Sequence, residues 1–433
     1  MMSIAAADFQ NYIQILEEEL IPAMGCTEPI AIAYAAAKAK SYLPEDVQSY
    51  VVRCSGNIIK NVKGVTVPNS GGQKGIPAAA ALGIVGGNPD SVLEVIARVT
   101  DADKEACKEL VAKNVCDVEL VEGVPGLYID VMLKGKAHSS EVILSGTHTN
   151  IALIKQDGKT LFDQKNDVSE SGQKGDRTKM SLHGLLEFAN TVPIEKVKAI
   201  LDKQIEMNTA ISNEGLTHPW GAEVGRTIKE IYGDTVEARA VAAAAAGSDA
   251  RMSGCPKPVV INSGSGNQGI TVSMPVVVYA KEWKASAEKR YRALLVSNLV
   301  SIYIKHYIGP LSAFCGAVSA SCGSGAAITY LADGDEAAIG RTITNMLANV
   351  SGIVCDGAKP SCAAKIASSL QAAILAHKMA MKGNAFKGGE GLVEENVEDT
   401  IKNIGYLGKI GMKETDIAVL NTMIHKIDVS KAL

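Results

Sequence analysis

Residues 115–156 read VCDVELVEGVPGLYIDVMLKGKAHSSEVILSGTHTNIALIKQ, and this run decides the fold class. Together with TLFD at 160–163 it breaks into VCDVELVE, GLYIDVMLKG and SSEVILSGTHTNIALIKQ, short alternating segments separated by glycine or charged turns. Alternation with a period of two is the signature of half-buried strands. A helix expected around Asp103–Lys113 precedes them, so residues 101–165 are expected to form a small α/β domain. Elsewhere the period changes to that of helices. Phe9, Tyr12, Ile13, Leu16 and Leu20 mark one face of a helix over 8–24, stopped by Gly25. Thr27-Glu28-Pro29 opens a second: threonine caps, glutamate suits the positive end, and proline is tolerated in the first turn. Helices are expected again at Ala78–Leu82, at Pro89–Val99 and over most of the chain from 181 onward. The exception is 258–280, two apolar runs around a Gly-rich turn. The expected architecture is therefore α+β: a mainly helical catalytic domain (1–100 and 166–433) interrupted by the small α/β domain (101–165). The polar segment 166–180 reads as the exit linker or a loop.

Composition narrows the function classes. The 433 residues carry a formal net charge of −4, and Lys and Arg are dispersed, so no basic field invites nucleic acid or an anionic membrane. The N-terminus MMSIAAADFQNY lacks a basic region followed by an apolar stretch, and no apolar run reaches the ~20 residues of a membrane helix. A soluble cytoplasmic protein is expected, with a homo-oligomer left open. Aromatic residues make up only 4%, so Ala, Val, Leu and Ile must fill the core, and Ala- and Gly-rich helices are expected to pack tightly.

Nine cysteines in a long chain with no export signal point away from disulfides and toward metal binding, catalysis or plain burial. Cys315/Cys322 and Cys355/Cys362 are both seven apart. On a continuous helix that spacing separates two residues by roughly 10 Å along the axis, too far for one small cluster. The stretch Asp356-Gly357-Ala358-Lys359-Pro360-Ser361 can loop, whereas GAVSAS at 316–321 reads helical. Spacing thus favours Cys355 and Cys362 as ligands and leaves Cys315 and Cys322 as alternatives for a third. Cys26 sits just before a helix N-terminus, a position that biases a thiol toward thiolate. An internal echo, Asn69-Ser70-Gly71 with Gln73-Lys74-Gly75-Ile76 against Asn262-Ser263-Gly264 with Asn267-Gln268-Gly269-Ile270, raises the idea of two similar loops facing one site; chance similarity among small polar residues is the alternative.

Several segments carry a resemblance. Gly25-Cys26-Thr27-Glu28-Pro29 is similar to the N-terminal motif of the L-cysteine desulfidase family, within the serine dehydratase alpha-chain superfamily. VTVP at 65–68, GTHTNI at 146–151, GSDARM at 247–252, NSGSGNQGI at 262–270 and CDGAKPSC at 355–362 resemble the same family, in order, over nearly the whole chain. The resemblance implies a [4Fe–4S] cluster on Cys315, Cys355 and Cys362, with Cys322 outside the set and Cys26 as the acid–base residue. It implies conversion of L-cysteine to pyruvate, ammonia and sulfide without pyridoxal phosphate. His148 and Asn150 lie in the segment that resembles a substrate-binding stretch of serine dehydratases. Asn69, Asn262, Ser263 and Asn267 on the Gly-rich loops are candidate donors to the substrate, and Arg251 can clamp a carboxylate. It can also pair with Asp249 or cap a helix. The rival readings are an L-serine dehydratase with the same chemistry and, if Cys322 made a fourth ligand, a closed-cluster redox or sensor protein.

Overall fold

The computed structural model describes residues 6–164, 174–309, 312–428 and 430. The linker expected at 166–180 lies outside the described residues over 166–173. The architecture is α+β, with many helices and a six-stranded mixed sheet.

The strands are β1 (Pro22–Met24), β2 (Ser49–Cys54), β3 (Cys116–Leu120), β4 (Tyr128–Lys134), β5 (Ser139–Ser145), β6 (Ile151–Gln156), β7 (Lys159–Asp163) and β8 (Pro258–Val260). The large sheet runs β3-β2-β4-β5-β6-β7, parallel between β2 and β3 and antiparallel elsewhere. Asp157-Gly158 closes the β6–β7 hairpin, both with φ near +50° to +75° as a two-residue primed turn requires. Alternation works as the sequence implies. Tyr50, Val52, Ile129, Val131, Leu133, Val142 and Leu144 are fully buried, while Arg53 on the other face pairs with Glu119 and Asp130.

The sheet draws on more of the chain than the 101–165 segment. β2 ends at Cys54, about sixty residues before β3 begins, and is inserted between β3 and β4. Helices Thr27–Ser41 and Gly75–Gly86 also pack with it. The α/β layer is thus built partly from residues expected in the helical domain. Two other local expectations change. Pro89–Val99 is a short 3-10 turn over Pro89–Glu94. The second apolar run of 258–280 is a helix, Gly266–Glu282, which carries Pro275 inside it. Its β-branched residues resemble a strand locally, but packing against helices Glu195–Thr217, Val236–Met252, Ala287–Ile308 and Gly316–Leu331 decides otherwise.

The first helix ends at Glu19, before the expected Gly25, and the chain continues as β1, pairing antiparallel with β8: Pro22 faces Val260 and Met24 faces Pro258. This ribbon ties the segment before Cys26 to the 258–270 region. Gly25 follows at φ +65°, where a Cβ would lie 2.0 Å from Pro68 Cγ, so only glycine fits the bend into Cys26.

Helix contacts are backbone to backbone. A Cβ on Gly215 would sit 1.9 Å from the Ala246 carbonyl oxygen, and one on Gly323 2.3 Å from that of Ser297. The tight packing expected from composition is present. Among the described residues no helix is long and apolar enough to cross a membrane.

Two outcomes follow. Gly215→Ala should destabilise the fold by about 3 kcal/mol, because neither backbone can yield cheaply; the urea midpoint should fall with the slope unchanged. His377 is buried on helix Cys362–Met381, with Thr329 Oγ1 2.9 Å from its Nδ1. Burial, then the charge of Lys378, depresses its pKa to about 4. A histidine depressed in the folded state stabilises fully above the unfolded pKa of about 6.5 and loses that contribution as pH falls toward 4. His377→Asn should therefore flatten the stability profile between pH 6.5 and 4, removing about 2 kcal/mol of acid sensitivity after allowance for solvent screening. Denaturant titrations at several pH values measure it.

Candidate active site

A cavity of about 820 Å³ lies where the sheet meets the helices. Its walls are helix ends and loops, so its polar groups come from many parts of the chain.

One end carries thiols. Cys315 precedes helix Gly316–Leu331, and Cys362 opens helix Cys362–Met381. Between the two chain segments runs a short backbone staple: the Cys315 N–H donates to Ile353 O at 2.8 Å, and the Cys355 N–H to Ala313 O at 2.7 Å. This fixes Cys315 beside Cys355. The 355–361 loop then returns through Gly357, at φ +93° against the Lys60 carbonyl, and places Cys362 on the same wall. Cys355 is drawn down by its hydrogen bond from Cys315, then by Lys60, the Gly357 N–H and Lys365. Sharing that proton pushes Cys315 up. Cys322 lies in the helix interior, fully buried; burial alone pushes its thiol up, and it does not line the cavity.

These residues fit an iron–sulfur cluster. Three thiols from three elements share one wall. Lys60, Lys305 and Lys365 bring positive charge to them, which suits the net negative charge of a thiolate-held cluster. Among the described residues no three His, Cys, Asp or Glu side chains converge tightly enough for a single metal ion.

The same cavity is lined by Cys26, Glu28, His148 and Arg251, with Arg251 within electrostatic reach of Cys362. Cys26 donates from Sγ to Glu28 Oε2 at 2.9 Å, and Thr27 Oγ1 donates to Gly264 O at 2.9 Å, joining this helix start to the 262–270 loop. The expected bias of Cys26 toward thiolate is overturned. Burial and the Glu28 charge push the thiol well up, and Arg251 only partly opposes them. Burial alone would raise the Glu28 carboxyl, but the His148 ring and the Cys26 thiol outweigh it and hold it at about 2. His148 Nε2 lies 3.9 Å from Glu28 Oε1, outside hydrogen-bond reach, so the attraction across that gap is coulombic. Arg251 ends helix Val236–Met252 and donates to Asn267 Oδ1 at 3.1 Å. It does not pair with Asp249, which instead accepts the Gly225 N–H at 3.0 Å and is raised to about 6 by burial.

Of the candidate substrate contacts, His148, Arg251, Ser263 and Asn267 line the cavity. Three others are engaged elsewhere. Asn69 donates to Ile96 O, Pro68 just before the 69–76 loop backs Gly25, and no residue of that loop lines the cavity, so of the two loops the 262–270 loop faces the site. Asn262 is fully buried in a network with Asn298, Ser263 and Ser301. Asn150 forms a reciprocal amide pair with Gln164 and bonds Ser145 O, shaping the loop that presents His148. Sequence reading missed two cavity residues. Glu28 was assigned only to the helix end, although it adjoins the Cys26 motif. Lys305 stands in the apolar helical run SIYIKHYI, where a charge without a function is unusual; burial pulls its pKa down and the Cys355 and Cys315 thiols oppose this.

Comparison with known proteins adds the following. The model of the serine dehydratase alpha chain family matches residues 90–421, a span that holds His148, Arg251, Cys315, Cys355 and Cys362 but begins after Cys26. A UPF0597 protein of Desulfitobacterium hafniense (strain Y51) is 50% identical over 420 residues, covering 96% of this chain and 97% of its own. One from Lachnoclostridium phytofermentans is 49% identical over 417 residues, 96% and 100% respectively, and one from Finegoldia magna is 47% identical over 418 residues, 96% and 100%.

The wall geometry sets a ligand test. After anaerobic reconstitution, Cys322→Ser should keep its iron, sulfide and visible absorption, while Cys355→Ser and Cys362→Ser should each lose most of them. Loss of the chromophore in Cys322→Ser would establish a four-thiolate set.

Proposed function

This chain belongs to the serine dehydratase alpha chain family, and we propose that it is an iron–sulfur-dependent lyase converting L-cysteine to pyruvate, ammonia and sulfide by α,β-elimination. Family membership supports the lyase class. The observation that carries the finer reading is the placement of Cys315, Cys355 and Cys362 on one wall of the cavity that Cys26 faces, with Cys322 excluded. A cluster held by three thiolates has one iron free of protein ligands, a Lewis acid suited to a soft sulfur leaving group.

The protein's own residues meet the remaining demands. Elimination requires removal of a weakly acidic Cα proton. Cys26 is the acid–base group of this proposal, and its own proton is directed to Glu28 Oε2. The start of helix Gly266–Glu282, with Asn267 and Gln268 on the cavity wall, offers N–H donors for charge developing on the substrate carboxylate. Lys305, beside the thiols, balances negative charge at the leaving-group end. The enamine product tautomerises and hydrolyses in water.

A second reading, L-serine dehydration at the same site, is favoured by the description of the matching family. Anaerobically reconstituted protein should release pyruvate and sulfide from L-cysteine with a kcat/KM at least about tenfold above that for pyruvate from L-serine. The reverse ratio would assign L-serine, and no product from either would sink both. Cys26→Ser should lower kcat on L-cysteine by about 100-fold or more while iron content stays unchanged.

A further inference from the structure

We propose that Glu28 receives the substrate's α-ammonium group and, with Arg251, forms a clamp for a zwitterionic α-amino acid. The inference rests on the amino-acid substrate proposed above and names the group that selects it.

Glu28 and Arg251 are 8% and 2% exposed, and both line the cavity. Buried charges are ordinarily paired or heavily hydrogen-bonded. Here the two opposite charges share one chamber without meeting. Among the described residues no carboxylate lies within 4.0 Å of the Arg251 guanidinium, whose Nη1 bonds the neutral Asn267 side chain and whose Nε has no partner. Glu28 Oε2 accepts neutral donors, the Cys26 thiol and the Thr27 hydroxyl; Oε1 has Asn61 Nδ2 at 3.4 Å and the His148 ring at 3.9 Å. An anion and a cation held apart around one space complement a ligand that carries both charges. An α-amino acid carries them on one carbon.

The arrangement also sets orientation. Cys26 interacts with both groups: its thiol is bonded to Glu28, and its side chain also lies within reach of Arg251. A ligand with its ammonium on Glu28 and its carboxylate on Arg251 therefore presents Cα toward Cys26. Its side chain is left to point toward the thiol wall. An ammonium on Glu28 also offsets the negative charge that keeps Cys26 protonated, so filling the clamp prepares the base. Lys305 does not compete for this role, because its charge acts on Cys315 and Cys355 at the other end.

L-alanine tests the clamp without turnover, since it has no leaving group. Isothermal titration of the reconstituted full chain with L-alanine, propionate and ethylammonium reads each half. Glu28→Gln should weaken L-alanine at least about tenfold and change propionate by less than about twofold. Arg251→Gln should weaken L-alanine and propionate together and spare ethylammonium. Glu28→Asp, which keeps the charge, should recover part of the L-alanine affinity, and a thermal melt of each variant checks folding. Unchanged L-alanine binding in Glu28→Gln, or equal loss of L-alanine and propionate, overturns the clamp, as does a wild-type protein that binds no L-alanine. If the pattern holds but neither L-cysteine nor L-serine yields pyruvate, the reaction falls and the clamp stands.

Discussion

Close backbone approach between helices is the constraint on which the rest of this structure depends. With few aromatic side chains to space its core, the protein brings helices together at glycine and alanine, as at Gly215 against Ala246, Gly323 against Ser297 and Gly83 against the Ala33 carbonyl. Dispersion forces are strongest when no gap remains, so small residues at these crossings serve the core as large ones do elsewhere. The same closeness fixes where the helices end. The cavity is lined at those ends, and its polar groups inherit the rigidity of the bundle.

Two short backbone pairings then convert a bundle into a site. The β1–β8 ribbon draws the Gly25 bend, and so Cys26 and Glu28, toward the end of helix Val236–Met252 and the 262–270 loop. The pairing of Phe314 with Val354 brings Cys315 beside Cys355. Each is only a few hydrogen bonds long. Between them they bring together residues more than two hundred positions apart in the chain.

The two ends of the cavity differ in electrostatic character. At the thiol end, the hydrogen bond from Cys315 and then the charges of Lys60 and Lys365 draw Cys355 down, while Cys315 and Cys362 are pushed up. Around Cys26, burial and then the negative charge of Glu28 push the thiol well up. A helix N-terminus alone would favour the thiolate, but burial of the thiol and a carboxylate two residues away in a low dielectric outweigh it. Cys26 and Cys355, lining one cavity, are thus shifted in opposite directions by their surroundings.

By itself the sequence determined the α+β class, most of the helices, the alternating strands at 116–163, and the looped pair Cys355 and Cys362, because these depend on local periodicity and on residues such as Gly357 and Pro360. It pointed to Cys26 through a local motif. Tertiary structure alone decided that β2 joins the distant strands, that the 69–76 loop backs the site without facing it, and that Asn69, Asn150 and Asn262 bond the scaffold. Spacing left Cys315 and Cys322 open and only the resemblance implied Cys315; the fold puts Cys315 on the cavity wall and Cys322 in a helix interior, and it revealed Glu28 and Lys305 inside the cavity. The reason is that side-chain periodicity is a property of neighbouring residues. A buried charge or a hydrogen-bond partner is set by whatever packs across from it, and that partner lies elsewhere in the chain.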